Sequence, residues 1–180
     1  MTIHAAADGS ALGNPGPAGW GWYVDESCWA SGGWPHGTNN MGELMAVLDL
    51  LRQTAHVDDD LVVYCDSQYV INSVTKWMPA WKRRGWRKKD GKPVLNVDLM
   101  RGIDEAMTGR RVRFQWVKGH AGHALNEAAD RLANAAAVAH RRGDSPPAGP
   151  GFPGAIPASG PDTAPAVAHE EPDLFSMLDG

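Results

Sequence analysis

The feature that most constrains the fold is a continuous apolar run, Leu61-Val62-Val63-Tyr64-Cys65, which lies between two segments with helical spacing. A strand that is apolar on both sides has to be covered on both faces, so this run predicts an interior strand of a sheet. Apolar residues recur every three or four positions between residues 44 and 51, and a second helix is expected at about residues 67–77. The sequence therefore predicts an α/β domain.

Shorter apolar runs predict the other elements. Residues 3–7 are expected to form a first strand, residues 20–24 and 28–31 a hairpin, and residues 112–117 a fifth strand. Two more helices are expected near residues 97–107 and 126–140. The order β-β-β-α-β-α-α-β-α predicts a mixed five-stranded sheet with helices on both faces, because a helix between two strands favours a parallel crossover.

The C-terminal part of the chain differs in composition from the rest. It contains eight Pro and six Gly between residue 143 and residue 180, with few large apolar residues before its last segment. All 17 Lys and Arg precede residue 143, whereas six of the 21 acids follow it, so residues 1–142 carry a formal charge of +2 and residues 143–180 carry −6. These patterns predict a folded domain over 1–142, a disordered Pro/Gly/Ala-rich linker over 143–168, and an acidic-hydrophobic tail over 169–180.

Nothing in the sequence predicts a membrane segment or an exported protein. There is no run of about 18 consecutive apolar residues, and the N-terminus lacks the basic region of a secretory signal. Cys28 and Cys65 have no second thiol at disulfide or zinc spacing. A cytoplasmic protein that does not bind membranes is the expectation.

Four acids occupy the predicted ends of strands and the early turns of helices. Asp8 and Asp66 follow apolar strands, Glu43 opens a helix, and Asp130 lies early in the last helix. Any single acid at such a position also suits a helix cap or a solvated surface. Four carboxylates at one edge of a sheet would repel one another unless cations were bound, and oxygen ligands without Cys favour Mg²⁺ or Mn²⁺. Two such ions could support an in-line phosphoryl displacement.

Several short motifs that contain these acids carry a resemblance to a known family. They are Asp8-Gly9-Ser10 with Asn14-Pro15-Gly16, Thr38-Asn39-Asn40 with Glu43-Leu44, Asp66-Ser67-Gln68-Tyr69-Val70, and the stretch from Trp116 to His123 with Asn126-Glu127 and Asp130. In this order, over roughly residues 1–142, the chain resembles bacterial type 1 ribonuclease H. The resemblance implies an endoribonuclease that cleaves the RNA strand of RNA–DNA hybrids and leaves 5′-phosphate and 3′-hydroxyl ends. It also implies two Mg²⁺ ions, with Mn²⁺ as an alternative, held by Asp8, Glu43, Asp66 and Asp130.

The same resemblance implies roles for other side chains. His120, in a loop flanked by glycines, is expected to move protons and to assist product release, because a His titrates near neutral pH. A basic segment, residues 82–92, with tryptophans just before it and within it, is expected to hold the DNA strand. Polar side chains are expected to read the minor groove. The implied substrate contacts are Asn14, Thr38, Asn39, Asn40, Gln68, Trp77, Trp81, Lys82, Arg83, Arg84, Lys88 and Lys89. The alternative for the basic segment is a solvated charged face above packed tryptophans.

Two other functions remain open from the residues. One is another metal-dependent polynucleotidyl transferase of the same fold, which would lack the basic segment and the Gly-His-x-Gly-His loop. The other is a non-catalytic module that binds hybrids. The chain also departs from the family in having Met41-Gly42 before Glu43, where Arg-Met is more usual, and the effect of this change is left open.

The end of the tail carries a second, partial resemblance. Glu171-Pro172-Asp173-Leu174-Phe175 resembles the pentapeptide, led by glutamine and ending in Leu-Phe, by which bacterial replication and repair proteins dock on the sliding clamp. The resemblance implies a clamp contact through Leu174 and Phe175, and the alternative is an ordinary tail or a one-turn helix. The partners expected are therefore an RNA–DNA hybrid and the clamp, with the protein itself acting as a monomer.

Overall fold

The computed structural model describes residues 1–155 and contains one five-stranded sheet with the strand order β3-β2-β1-β4-β5. The strands are β1 (Thr2–Ala11), β2 (Gly16–Asp25), β3 (Cys28–Gly37), β4 (Asp60–Cys65) and β5 (Val112–Trp116). The first three strands pair antiparallel, whereas β4 is parallel to both β1 and β5. The predicted mixed five-stranded sheet is therefore confirmed.

The helices cover both faces of this sheet. They are α1 (Asn39–Gln53), α2 (Gln68–Asn72), a π-helical turn (Ser73–Trp77), α3 (Met78–Arg83), α4 (Val97–Met107) and α5 (Ala124–Arg141). Successive residues of a strand point to opposite faces, and β2 shows both. Gly19 and Gly21 lie against α5, whereas Trp22 donates its indole N–H to Asp49 of α1 across 2.8 Å. The core lies mainly between the sheet, α1 and α4, and α4 packs on α1.

The three antiparallel strands, β1, β2 and β3, are longer than the apolar runs predicted. β1 continues to Ala11 because its antiparallel pairing with β2 extends to the pair Ala11 and Ala18, while its parallel pairing with β4 stops at Ala6 and Tyr64. Asp8 therefore lies inside β1, opposite Gly21, and not at the end of the strand as predicted. Glycines and polar residues join these strands because the neighbouring strand supplies their hydrogen bonds.

The helical region after β4 also extends further than predicted. Residues 68–83 form one helical path, in which the π-helical turn joins α2 to α3. The basic segment begins within its last turn, at Lys82 and Arg83. Within residues 1–155, no helix is both long enough and apolar enough to cross a membrane.

The structure differs from the prediction of a disordered linker that starts at residue 143. Residues 144–155 lie against β3 and the end of α1, with hydrogen bonds to Ser31, Trp29 and Gln53. Composition did not reveal these contacts, because they join the segment to residues of β3 and α1 that are distant in the sequence. Residues 156–168 of the predicted linker and the tail over 169–180 lie outside the described residues.

Candidate functional site

The parallel pairing of β1 and β4 brings the predicted acids together. Asp8 lies two residues beyond the last β1–β4 pair, and Asp66 directly follows β4, so both stand at the same edge of the sheet. Asp8, Glu43 and Asp66 each place one carboxylate oxygen within 4.8 Å of the other two. The structure thus groups three acids that are widely separated in the sequence.

Glu43 reaches this group because the start of α1 crosses β1 at very short range. A β-carbon on Gly9 would lie 2.6 Å from the carbonyl carbon of Gly42, and one on Gly42 would lie 3.1 Å from the α-carbon of Gly9. Two glycines at this crossing let the backbones touch, which places Glu43 over β1 near Asp8. Gly42, a departure from the family pattern in the sequence, therefore has a packing role that sequence reasoning missed.

Asp130 approaches the same site from α5, on the other face of the sheet. Its carboxyl group lies near that of Asp8, and this proximity raises the pKa of Asp8. His123 caps this helix, since its Nδ1 accepts the Asn126 N–H across 3.2 Å, and its ring packs on Tyr64 with 4.8 Å between centroids. This cap gives His123 a role that the sequence did not reveal.

The acids perturb one another strongly. Burial, followed by the negative charge of Asp66, raises the pKa of Asp8 from 3.8 to about 8, although the Gly9 N–H donates to its Oδ1 across 2.9 Å. Burial also raises the pKa of Asp66, and the nearby charge of Asp130 adds to this, while the adjacent Asn126 side chain and the proximity of His120 oppose it. A bound cation would relieve this repulsion, and the donors are the hard oxygens that divalent metal ions prefer. The residues therefore fit a metal site.

The loop between β5 and α5 lies beside Asp66. The indole N–H of Trp116 donates to the main-chain carbonyl of Asp66 across 3.1 Å, and the Val117 N–H donates to that of Cys65 across 2.9 Å. His120 is exposed in this loop and has a left-handed backbone conformation, with φ of 56°. The structure thus brings His120 close to the acids, and it shows that Trp116, which the sequence did not single out, anchors the loop.

The predicted polar substrate contacts fall into two groups. Asn14, Asn39 and Gln68 are exposed, Asn40 is half-buried, and the Asn39 N–H donates to Asn14 Oδ1 across 3.1 Å. Thr38, in contrast, is buried, and its hydroxyl accepts the Met41 N–H across 3.1 Å as the cap of α1. Its side chain is therefore used by the helix, and its contact with the substrate stays a prediction.

The basic segment is only partly as predicted. Lys82, Arg83, Arg84 and Lys89 are exposed, and Lys88 is half-buried. Lys82 pairs with Asp104 across 3.0 Å, and Lys88 lies 4.0 Å from Asp90. The cationic side chains are thus mostly available to a polyanion.

Trp77 and Trp81 do not share this exposure. They are 8% and 0% exposed, and their ring centroids lie 6.0 Å apart. Both side chains pack the basic segment onto the core, and a contact between their indole faces and the hybrid stays a prediction.

The sheet order and the carboxylates at its parallel edge define an α/β enzyme of the kind that uses divalent cations. Comparisons with known proteins agree with this class. The RNase H family profile matches residues 2–138. A ribonuclease H of Tropheryma whipplei (strain Twist) is 58% identical over 135 residues, which cover 75% of this chain and 84% of the relative. One from Bradyrhizobium diazoefficiens is 48% identical over 139 residues, which cover 74% of this chain and 86% of the relative.

Solved structures show the same fold. LC9-RNase H1, a type 1 RNase H with the type 2 active-site motif, superposes with a TM-score of 0.64 at 29% identity, over 96% of this chain and 99% of that one. RNase H1 from the halophilic archaeon Halobacterium salinarum gives a TM-score of 0.55 at 29% identity, over 76% of this chain and 97% of that one. This chain belongs to the ribonuclease H family, whose members are metal-dependent endoribonucleases that act on RNA–DNA hybrids.

Proposed function

We propose that this protein hydrolyses the RNA strand of RNA–DNA hybrids and leaves 5′-phosphate and 3′-hydroxyl ends, with Asp8, Glu43, Asp66 and Asp130 as its metal ligands. The observation that carries the proposal is the group of three carboxylate oxygens within 4.8 Å of one another at the edge of the sheet. The proximity of Asp130 to Asp8, which raises the pKa of Asp8, supports the inclusion of the fourth acid.

The chemistry of these donors favours Mg²⁺, with two ions per site and Mn²⁺ as an alternative. All four ligands are carboxylates, and no thiol or imidazole belongs to the group within 4.8 Å in residues 1–155. When bound, such ions lower the pKa of an attacking water and stabilise charge on the scissile phosphate. The four acids would hold and orient the ions, and the buried position of Asp8 would keep bulk water away from them.

His120 supplies a group that can move a proton near the acids. Its imidazole is exposed on a loop that Trp116 and Val117 anchor beside Asp66. An imidazole can both accept and donate a proton, which suits general acid–base work. We propose that it protonates the leaving group and assists the release of product.

Exposed polar and basic side chains would hold the two strands. Asn14, Asn40 and Gln68 belong to the loops and helix starts next to the acids, and would meet the base edges of the minor groove, whereas Asn39 would contact the DNA strand. Cations of the basic segment would neutralise phosphates of the DNA strand, and the RNA strand would be selected by its 2′-hydroxyl groups. The cations concerned are Lys82, Arg83, Arg84, Lys88 and Lys89.

A cleavage assay on three substrates tests this function. Labelled RNA–DNA hybrid, double-stranded DNA and double-stranded RNA are incubated with the protein in Mg²⁺ or in EDTA. Cutting of only the RNA strand of the hybrid, and only with Mg²⁺, is expected. Cutting of double-stranded DNA would instead identify another polynucleotidyl transferase, and binding of the hybrid without any cutting would identify a non-catalytic module.

The remaining proposals concern partners and location. We propose that the tail contacts the replication sliding clamp through Leu174 and Phe175, two large apolar residues in an acidic segment outside the described structure. Cys28 and Cys65 are both free and buried, which supports a cytoplasmic protein. Fluorescence polarisation of a labelled 169–180 peptide against the cognate clamp is expected to show binding that is lost when Leu174 and Phe175 are both replaced by Ala. No binding, or binding that survives the replacement, would contradict the clamp proposal.

A further inference from the structure

The segment that follows α5 pairs with the open edge of the sheet. β3 is an edge strand, and residues 144–155 run beside it beyond the region matched by the family profile. The Ser31 N–H donates to the Ala148 carbonyl across 3.1 Å, and the Ser31 hydroxyl donates to the Pro147 carbonyl across 2.7 Å. The Gly151 N–H donates to the Trp29 carbonyl across 3.0 Å. The two bonds made by the Ser31 N–H and the Trp29 carbonyl use main-chain groups that an uncovered edge strand would offer to another chain.

The far end of this segment is held at the C-terminal end of α1. The Phe152 N–H donates to Gln53 Oε1 across 2.8 Å, and His56 Nε2 donates to the Pro153 carbonyl across 2.8 Å. The rings of Phe152 and His56 meet edge to face with 5.8 Å between centroids. Gln53 is itself held, because its amide N–H donates to Asp49 Oδ2 across 2.8 Å. The contact is thus continuous with the polar groups of α1.

Two glycines of the segment are required by this fit. Gly149 has φ of +88°, and a β-carbon there would lie 2.7 Å from Cε3 of Trp29. Gly151 has φ of +73°, and a β-carbon there would lie 2.6 Å from Gln53 Oε1. Any other residue at these positions would meet both backbone strain and a collision. Neighbouring prolines reduce the entropy that the segment loses when it becomes ordered.

We propose that the edge of β3 and the C-terminal end of α1 form a binding surface for this chain's own residues 144–155, here called the strap. Its occupation keeps the edge of β3 from pairing with a second copy of the protein. It also keeps the C-terminal end of the strap away from the acids, because that end is held at Gln53, which lies ten residues after Glu43 on α1, about 15 Å along the helix axis.

Hydrogen exchange in the full-length protein tests the strap directly. Amide protons of Ser31, Gly151 and Phe152 are expected to be protected. Replacing Gly151 by Ala should make all three exchange at least about tenfold faster, because the strap detaches. The matched control is Gly109→Ala, at a glycine with φ of +74° where a β-carbon would have no atom within 4 Å, and this variant should leave these amides unchanged. Rapid exchange at Ser31 in the unaltered protein, or equal effects of the two variants, would contradict the proposed binding of the strap to β3 and α1.

Two further measurements test its consequences. Light scattering of Gly151→Ala at increasing concentration should show self-association that the unaltered protein and Gly109→Ala lack. Cleavage of hybrid by Gly151→Ala should stay within about twofold of normal, which also shows that the variant is folded. If Gly151→Ala remains a monomer, then the strap does not keep the edge of β3 from pairing with a second copy. If the variant folds normally but cleaves hybrid tenfold more slowly, then the strap is not independent of the catalytic site.

The direction in which the strap leads away from the acids can be tested with a bulky label at its end. Cys28 and Cys65 are buried, so Ala155→Cys allows biotin to be attached selectively at the end of the strap. Binding of streptavidin there should leave hybrid cleavage unchanged, whereas streptavidin on Ala121→Cys, beside His120, should block it. Equal inhibition at both positions would overturn the proposed direction.

Discussion

Gly119 lies so close to Asp66 that a β-carbon on Gly119 would come within 2.9 Å of Asp66 Oδ2. The loop that carries His120 therefore rests directly on the side chain of a predicted metal ligand. The contact adds to the hydrogen bond between Trp116 and the main chain of Asp66, so loop and acid are expected to move together.

The first prediction concerns this contact. Gly119→Ala should displace the Asp66 carboxylate and lower hybrid cleavage by at least about tenfold, because small misplacements of catalytic groups have large kinetic effects. Thermal unfolding should change little, since the loop is at the surface. Gly122→Ala is the control, because Gly122 has φ of +85° but a β-carbon there would have no atom within 4 Å. Equal losses in both variants would mean that loop conformation matters and the contact with Asp66 does not.

The second prediction separates catalysis from binding. Asp66→Asn should abolish turnover in Mg²⁺, because an amide holds a divalent cation less well than a carboxylate, while the affinity for hybrid in EDTA stays close to normal. Paired cleavage and binding assays measure both properties. Near-normal turnover of the variant would exclude Asp66 as a metal ligand.

The third prediction follows from the pKa of Asp8. Burial and the charge of Asp66 raise this pKa from 3.8 to about 8, so between these pH values the folded protein binds a proton that the unfolded chain has released. Without metal, stability should therefore fall as pH rises from about 4 to about 8. In EDTA at pH 8, Asp8→Asn should raise the midpoint of thermal unfolding by about 5 °C, and at pH 4 the gain should disappear. A gain of equal size at both pH values would contradict the raised pKa.

The fourth prediction concerns proton transfer by His120. His120→Ala should lower turnover by about 10- to 100-fold without a complete loss, because water can replace the imidazole less efficiently. The pH dependence of turnover should differ from that of the unaltered protein. His123→Ala is a useful comparison, because it removes the cap of α5 and should lower stability as well as activity. An unchanged pH profile in His120→Ala would argue against the proton-transfer role.

The fifth prediction addresses the basic segment. Lys89→Ala should weaken hybrid binding without sequence preference and reduce the slope of log K against log salt by about one. Arg52→Ala is the matched control, since Arg52 is an exposed cation in the last turn of α1 and should leave the slope unchanged. If Lys89→Ala and Arg52→Ala have the same small effect, then Lys89 belongs to a solvated face that does not contact DNA.

Local sequence was sufficient for the elements and for the identity of the acids. The apolar run at residues 61–65 predicted the interior strand β4, and the acids lie in short motifs whose spacing is visible along the chain. The burial of Trp77 and Trp81 was not visible in this way, because an aromatic residue among cations suits either a binding surface or the top of a core. Only the packing of the π-helical turn and α3 showed that these two side chains lie on the core.

Residue types and their order were thus enough to predict the mixed sheet and the residues that could bind metal, since both follow from hydrophobic patterning and from the chemistry of individual side chains. Tertiary packing decided where these groups stand. Contact between Gly9 and Gly42 places Glu43 near Asp8, and pairing with β3 orders residues 144–155, which composition alone predicted to be disordered. Both arrangements depend on contacts between segments that are distant in the sequence. The free energy of such contacts cannot be read from a local sequence pattern.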